Sequence, residues 1–122
     1  MNTTIFIPGN VPSSKNSKQW TGKYFIHSKS CQEYYKNTDS FWKMEAVKFR
    51  NSIKDLPKPL KIEFEFIRKS KHKFDLINPC QTIQDLMVKY GWIDDDNADE
   101  IIPYFKPYSY DKENPGVYIK IL

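Results

Sequence analysis

Oxygen-bearing side chains crowd the stretch between residues 75 and 100. Asp75, Asn78, Gln81 and Asp85 come first, and Asp94, Asp95, Asp96, Asp99 and Glu100 follow. Asn78, Gln81 and Asp85 stand three and four apart, which places them on one stripe if the segment is helical. Carboxylates packed this densely repel one another unless a cation offsets them. A donor set made only of oxygen suits Mg²⁺ or Mn²⁺. Mg²⁺ commonly takes one or two carboxylates, keeps several waters and uses a substrate phosphate as a further ligand. In a basic chain that combination points to phosphodiester chemistry on nucleic acid. The plain alternative is an acidic, solvated turn. An EF-hand is excluded: Asp99 stands where that loop needs glycine, and Phe105 where it needs a bidentate glutamate.

A helix must carry the first group of these residues. Asn78-Pro79 reads as its start, with Asn78 as N-cap and Pro79 in the first turn. Ile83, Leu86, Met87 and Tyr90 recur at helical spacing and mark its buried face. Gly91 reads as its stop, where a left-handed residue is needed. Asp75 then precedes the helix, and Asp94, Asp95 and Asp96 follow it.

This stretch resembles the signature region of the RusA-type Holliday junction resolvases, small endodeoxyribonucleases found in phages and prophages. The resembling residues are Asp75 to Asn78, Gln81, Asp85-Leu86, Gly91-Trp92-Ile93-Asp94 and Asp95-Asp96. The resemblance implies a divalent metal, Mg²⁺ or Mn²⁺, that activates water and stabilises the leaving oxygen. Asp75 and Asp96 are the leading ligands by position, then Asp95 and Asp85, with Asn78, Gln81 and Asp94 in support. It also implies a homodimer, matched to the two-fold symmetry of a four-way junction, and branched DNA as substrate. Two positions depart from the family pattern. Ile77 stands where the family has its second aspartate, and Gln81 where it has a lysine. A junction-binding protein that cuts weakly or not at all is therefore the alternative, and a nuclease acting on RNA or flaps is a third reading.

The rest of the chain fits a nucleic-acid partner. The sequence has 122 residues and net charge +4, enough for one domain with its own core. Up to Phe74 there are 15 Lys+Arg against 6 Asp+Glu, and from Asp75 onward 4 against 9. A basic body around an acidic centre suits phosphate binding beside a carboxylate site. Lys15 and Lys18, in a polar loop after the first strand, and Lys69, Lys71 and Lys73, just before Asp75, are the backbone-binding candidates. Cys31 and Cys80 fit neither a ligand spacing nor a disulfide framework and read as reduced thiols. With no long apolar run and no leader pattern, a soluble cytoplasmic protein is expected.

The element pattern predicts an α/β (α+β type) domain, a small mixed sheet with two main helices. Thr3–Pro8 reads as a strand, Lys23–His27 as the second strand of a hairpin, and Ser30–Asn51 as a long helix with a Ser30/Glu33 capping box. Leu60–Arg68 alternates strictly, with Leu60, Ile62, Phe64 and Phe66 on the buried side. Ile101–Tyr108, with two prolines, fits an edge strand, and Val117–Leu122 closes the chain.

Overall fold

The computed structural model describes the backbone of residues 3–13, 18–20, 25–27 and 29–122, with side chains described for all of these except 18–20 and 25–27. Lys15 and the side chains of Lys18, Trp20 and His27 thus lie outside the described residues. The elements run β1 (Thr4–Pro8), β2 (Lys18–Trp20), β3 (Phe25–His27), α1 (Lys29–Ile53), β4 (Leu60–Arg68), α2 (Ile77–Lys89), β5 (Ile101–Phe105), β6 (Ser109–Tyr110) and β7 (Gly116–Ile121).

The main sheet is five-stranded and mixed, in the order β1-β7-β4-β5, with β6 also pairing β4. β7 lies antiparallel to both β1 and β4, while β5 and β6 run parallel to β4. With the two helices this is the expected small α+β architecture. β2 and β3 form a separate antiparallel hairpin, Lys18 opposite His27. The segment 18–20, read as loop from its polar composition, is therefore strand.

The alternation of β4 is the backbone of the core. Leu60, Ile62, Phe64 and Phe66 are buried, as the two-residue period requires. Arg68 continues the same register and is buried with them, at 8% exposure. From β1 and β7, Ile5, Ile7, Val117, Ile119 and Ile121 join this core. α1 contributes Tyr34, Trp42, Ala46 and Phe49, and α2 contributes Ile83, Leu86 and Met87. α1 begins at Lys29, so Ser30 lies inside its first turn and the Ser30/Glu33 capping box is not its start.

The one proline in β5, Pro103, is tolerated because of which way it faces. Leu60 N–H donates to Glu100 C=O at 2.8 Å, and Lys106 N–H to Phe64 C=O at 3.0 Å. Even-numbered residues of β5 therefore address β4, and the Pro103 nitrogen points to the open edge. A missing N–H there breaks no ladder bond and makes the edge a poor template for another strand. At the other side, Gly116 allows β1 and β7 to close up: a Cβ on it would stand 2.3 Å from Phe6 Cζ and 2.8 Å from the Ile7 carbonyl oxygen.

Candidate functional site

α2 begins earlier than its Asn-Pro pair suggests. Asn78 N–H donates to Asp75 C=O at 3.1 Å and Cys80 N–H to Leu76 C=O at 3.2 Å. This turn starts the helix at Ile77 behind a helical Leu76, without a side-chain cap. Asn78 is therefore a first-turn residue, not the N-cap, and its side chain borders a cleft instead. The far end follows the glycine stop closely. Gly91 has φ +75°, its N–H donates to Val88 C=O at 3.1 Å, and Trp92 N–H donates to Met87 C=O at 2.8 Å. These are the paired bonds of a Schellman end. Arg50 of α1 donates to the Gly91 carbonyl at 3.2 Å.

Beyond Gly91 the chain is anchored before it reaches the acids. Trp92 is buried, packs on Trp42 and Phe49 with ring centroids 4.9 Å away in each case, and donates its indole N–H to the Trp42 carbonyl at 2.9 Å. Ile93 is buried beside it. Asp94, Asp95 and Asp96 then leave this anchor in different directions. Asp94 turns to Lys58 at 3.3 Å, where Glu100 also pairs at 2.5 Å. Asp94 is thus paired with Lys58. Asp95 accepts the Asn97 side-chain amide at 2.7 Å and the Asp96 N–H at 2.9 Å. The Asn97 amide and then the Asp96 backbone N–H hold its carboxyl below the usual range. Asp95 builds the turn, and Asp96 is the acid the turn presents.

Asp96 comes back to α2. The Gln81 side-chain nitrogen donates to Asp85 at 2.8 Å and to Asp96 at 3.2 Å. One neutral amide thus gathers one carboxylate from α2 and one from the turn after it. Beneath them, burial and then the Asp96 charge push the Cys80 thiol up to about 12, so it stays a protonated, unreactive packing group. Neither Cys80 nor Cys31 is in a disulfide, and both are buried.

Asp75 borders a cleft. With Asn78, Ser13, Lys73, Phe74 and Tyr108 it lines this open space of about 540 Å³. Asn78 precedes Gln81 by one helical turn, so the cleft and the pair adjoin along a single face of α2. Ile77 is 73% exposed next to them. Among the described residues, no three His, Cys, Asp or Glu side chains converge as a metal cage. Asp85 and Asp96 are the acids that Gln81 brings together, while Asp75 lines the adjoining cleft and Asp95 builds the turn. As a donor set this pair suits a hydrated Mg²⁺ or Mn²⁺, which needs only one or two carboxylates from the protein.

Three of the basic candidates, Lys69, Lys71 and Lys73, are among the described residues. Lys73 borders the Asp75 cleft. Lys71 lies 5.2 Å from the Tyr110 ring centroid. Lys69 donates its backbone N–H to Asn10 at 2.9 Å and is exposed. Sequence reasoning missed Arg68 and the aromatic wall. The Arg68 guanidinium sits 4.5 Å over the Phe74 ring, and Phe74 meets Tyr108 edge-on at 5.0 Å. A signal for Arg68 was present: it stands two residues after Phe66, on the buried register of β4.

No family model matches the chain, and no curated protein matches it.

Proposed function

We propose that this protein is a metal-dependent, structure-selective endodeoxyribonuclease of RusA type that resolves Holliday junctions and related branched DNA by phosphodiester hydrolysis. The observation that carries the reading is the Asp85–Gln81–Asp96 cluster beside the Lys73–Asp75 cleft. Asp85 and Asp96 would hold Mg²⁺ or Mn²⁺. When bound, the metal lowers the pKa of a water and offsets charge on the leaving oxygen. Gln81 orients both carboxylates, so the site is held in place before substrate arrives. Lys69, Lys71 and Lys73 draw the backbone in, with Lys73 and Asn78 at the cleft that receives the strand. Lys15 and Lys18 would extend that surface. The working form would be a cytoplasmic homodimer, two sites matching the two-fold symmetry of a junction.

The second reading is a junction-binding protein that cuts weakly. Ile77, exposed where the resemblance expects an aspartate, favours it. So does Gln81, which supplies no charge to a phosphate.

A substrate panel separates these readings. A synthetic four-way junction, a flap, an RNA duplex and a linear DNA duplex are incubated with the protein in Mg²⁺ and then Mn²⁺ at low salt, where backbone contacts are strongest. Paired nicks on the junction, absent from the linear duplex, are expected. Tight junction binding without nicks in either metal moves the assignment to the binding protein, and preferential cutting of flap or RNA overturns the junction as substrate.

A further inference from the structure

A second cleft opens on the other side of the Arg68–Phe74 stack. It has a volume of about 540 Å³, and Arg68, Tyr34, Asn37, Asn10, Lys69 and Glu33 are among the residues that line it. Two of these are buried polar side chains, Tyr34 and Arg68. The Tyr34 hydroxyl is buried, the residue being only 5% exposed, and has no hydrogen-bond partner among the described residues. A buried hydroxyl left in this state costs free energy that a ligand oxygen would recover. Burial, the larger influence, raises the Tyr34 pKa, so the hydroxyl keeps its proton and is a donor.

Arg68 is the second. Its guanidinium donates to the Val11 carbonyl at 2.5 Å and lies against the Phe74 ring. No carboxylate pairs with it among the described residues, where the ion pairs belong to lysines. A guanidinium has five N–H donors and is expensive to bury without a counter-charge. Its planar fork matches a phosphate. The first turns of α1 also border the cleft, through Ser30 and Glu33, and a helix N-terminus favours an anion. The exposed Glu33 carboxylate at the rim opposes this and is outnumbered by Arg68 and Lys69.

We infer that the Arg68–Tyr34 cleft is a phosphate-binding subsite that holds a backbone phosphate of a nucleic-acid strand, one step along from the phosphate addressed by Asp85 and Asp96. The inference rests on the proposed nuclease reading for the source of the phosphate. Arg68 joins the two places physically: it lines this cleft and stacks on Phe74, which lines the Asp75 cleft, and Ser13 borders both. A strand crossing that stack would set one phosphate on each side of it.

The test measures binding without metal, so that cutting does not enter. Junction DNA and a short single strand are titrated against the parent, Tyr34→Phe and Arg68→Lys in EDTA over a range of salt, and each protein is also melted with and without inorganic phosphate. Tyr34→Phe removes only the unbonded hydroxyl, so its own melting temperature should be unchanged or higher. Its DNA affinity should fall about tenfold, the size of one hydrogen bond to a charged group. Arg68→Lys keeps the charge but loses the planar fork, so it should weaken binding at every salt concentration and leave the salt dependence nearly unchanged. If the parent binds DNA and both variants bind equally well, the subsite is overturned while the nuclease reading survives. If inorganic phosphate stabilises the parent but not Tyr34→Phe, and no protein binds DNA, the source is a free phosphate and the strand assignment is overturned together with the nuclease reading.

Discussion

The Gln81 amide stands 3.2 Å from the Asp96 carboxylate, although 15 residues separate them. The same nitrogen donates to Asp85, one helical turn along. This contact closes the acidic turn onto the helix and brings two separate segments together. A neutral donor shared by two acids leaves their repulsion only partly offset, and a cation should therefore compete well for the space.

Gln81→Lys tests that balance. The ammonium would meet both carboxylates and add stability on the order of 0.5 kcal/mol, since exposed ion pairs are worth about 0–1 kcal/mol. In metal-free buffer the variant should melt slightly above the parent. Added Mg²⁺ should then stabilise the parent more than the variant, because stabilisation by a ligand follows its occupancy of the folded state. Equal Mg²⁺ shifts in both would mean that the metal binds elsewhere.

The two glycines that shape the scaffold should respond differently to alanine. At Gly91 the added Cβ meets only Arg50 Nη1 at 3.5 Å, an ordinary contact. The cost is then the left-handed backbone alone, about 1–2 kcal/mol. At Gly116 the Cβ would fall on the Phe6 ring and the Ile7 carbonyl. That clash forces β1 off β7 and should cost more than Gly91→Ala. Denaturant melts of both variants rank them, and the reverse order would contradict the register of β1 on β7.

Stability should also fall at high pH. Tyr90 donates its hydroxyl to Asp39. Burial first, and the Asp39 carboxylate second, push the Tyr90 pKa up to about 12 from 10.0. The folded state thus favours the protonated phenol. This contribution is complete below the unfolded value near 10 and is lost as pH rises towards about 12. Tyr90→Phe should flatten the stability profile between those values in a pH series of denaturant melts. An unchanged slope would contradict the Asp39 contact.

What could be read from the residues was what local spacing controls. The β4 alternation, the buried stripe of α2 and the Gly91 stop all follow from periods of two and 3.6 and from one backbone conformation. The sharing of a stripe by Gln81 and Asp85 was equally local. Asn78 was misread as a cap because the Asp75 carbonyl, three residues earlier, accepts its N–H and starts the turn there. Local spacing alone did not say which of three consecutive aspartates returns to α2; only the resemblance put Asp96 first. That choice depends on the burial of Trp92 and Ile93 and on Lys58, 36 residues away, which captures Asp94. Arg68 escaped notice because a buried face was traced through apolar residues alone, and the register carries on past them.

The most direct measurement is single-turnover cleavage of a four-way DNA junction in Mg²⁺ by the parent and Asp96→Asn side by side, with junction affinity measured for each. The parent should give paired, symmetric nicks. Asp96→Asn should lose cutting by roughly a hundredfold or more, the scale of removing one group essential to the chemical step, and bind the junction as tightly or more tightly, since a charge facing phosphate is gone. Equal cutting by both proteins, or no cutting by the parent in either Mg²⁺ or Mn²⁺, would contradict the assignment of Asp85, Gln81 and Asp96 as a nuclease site.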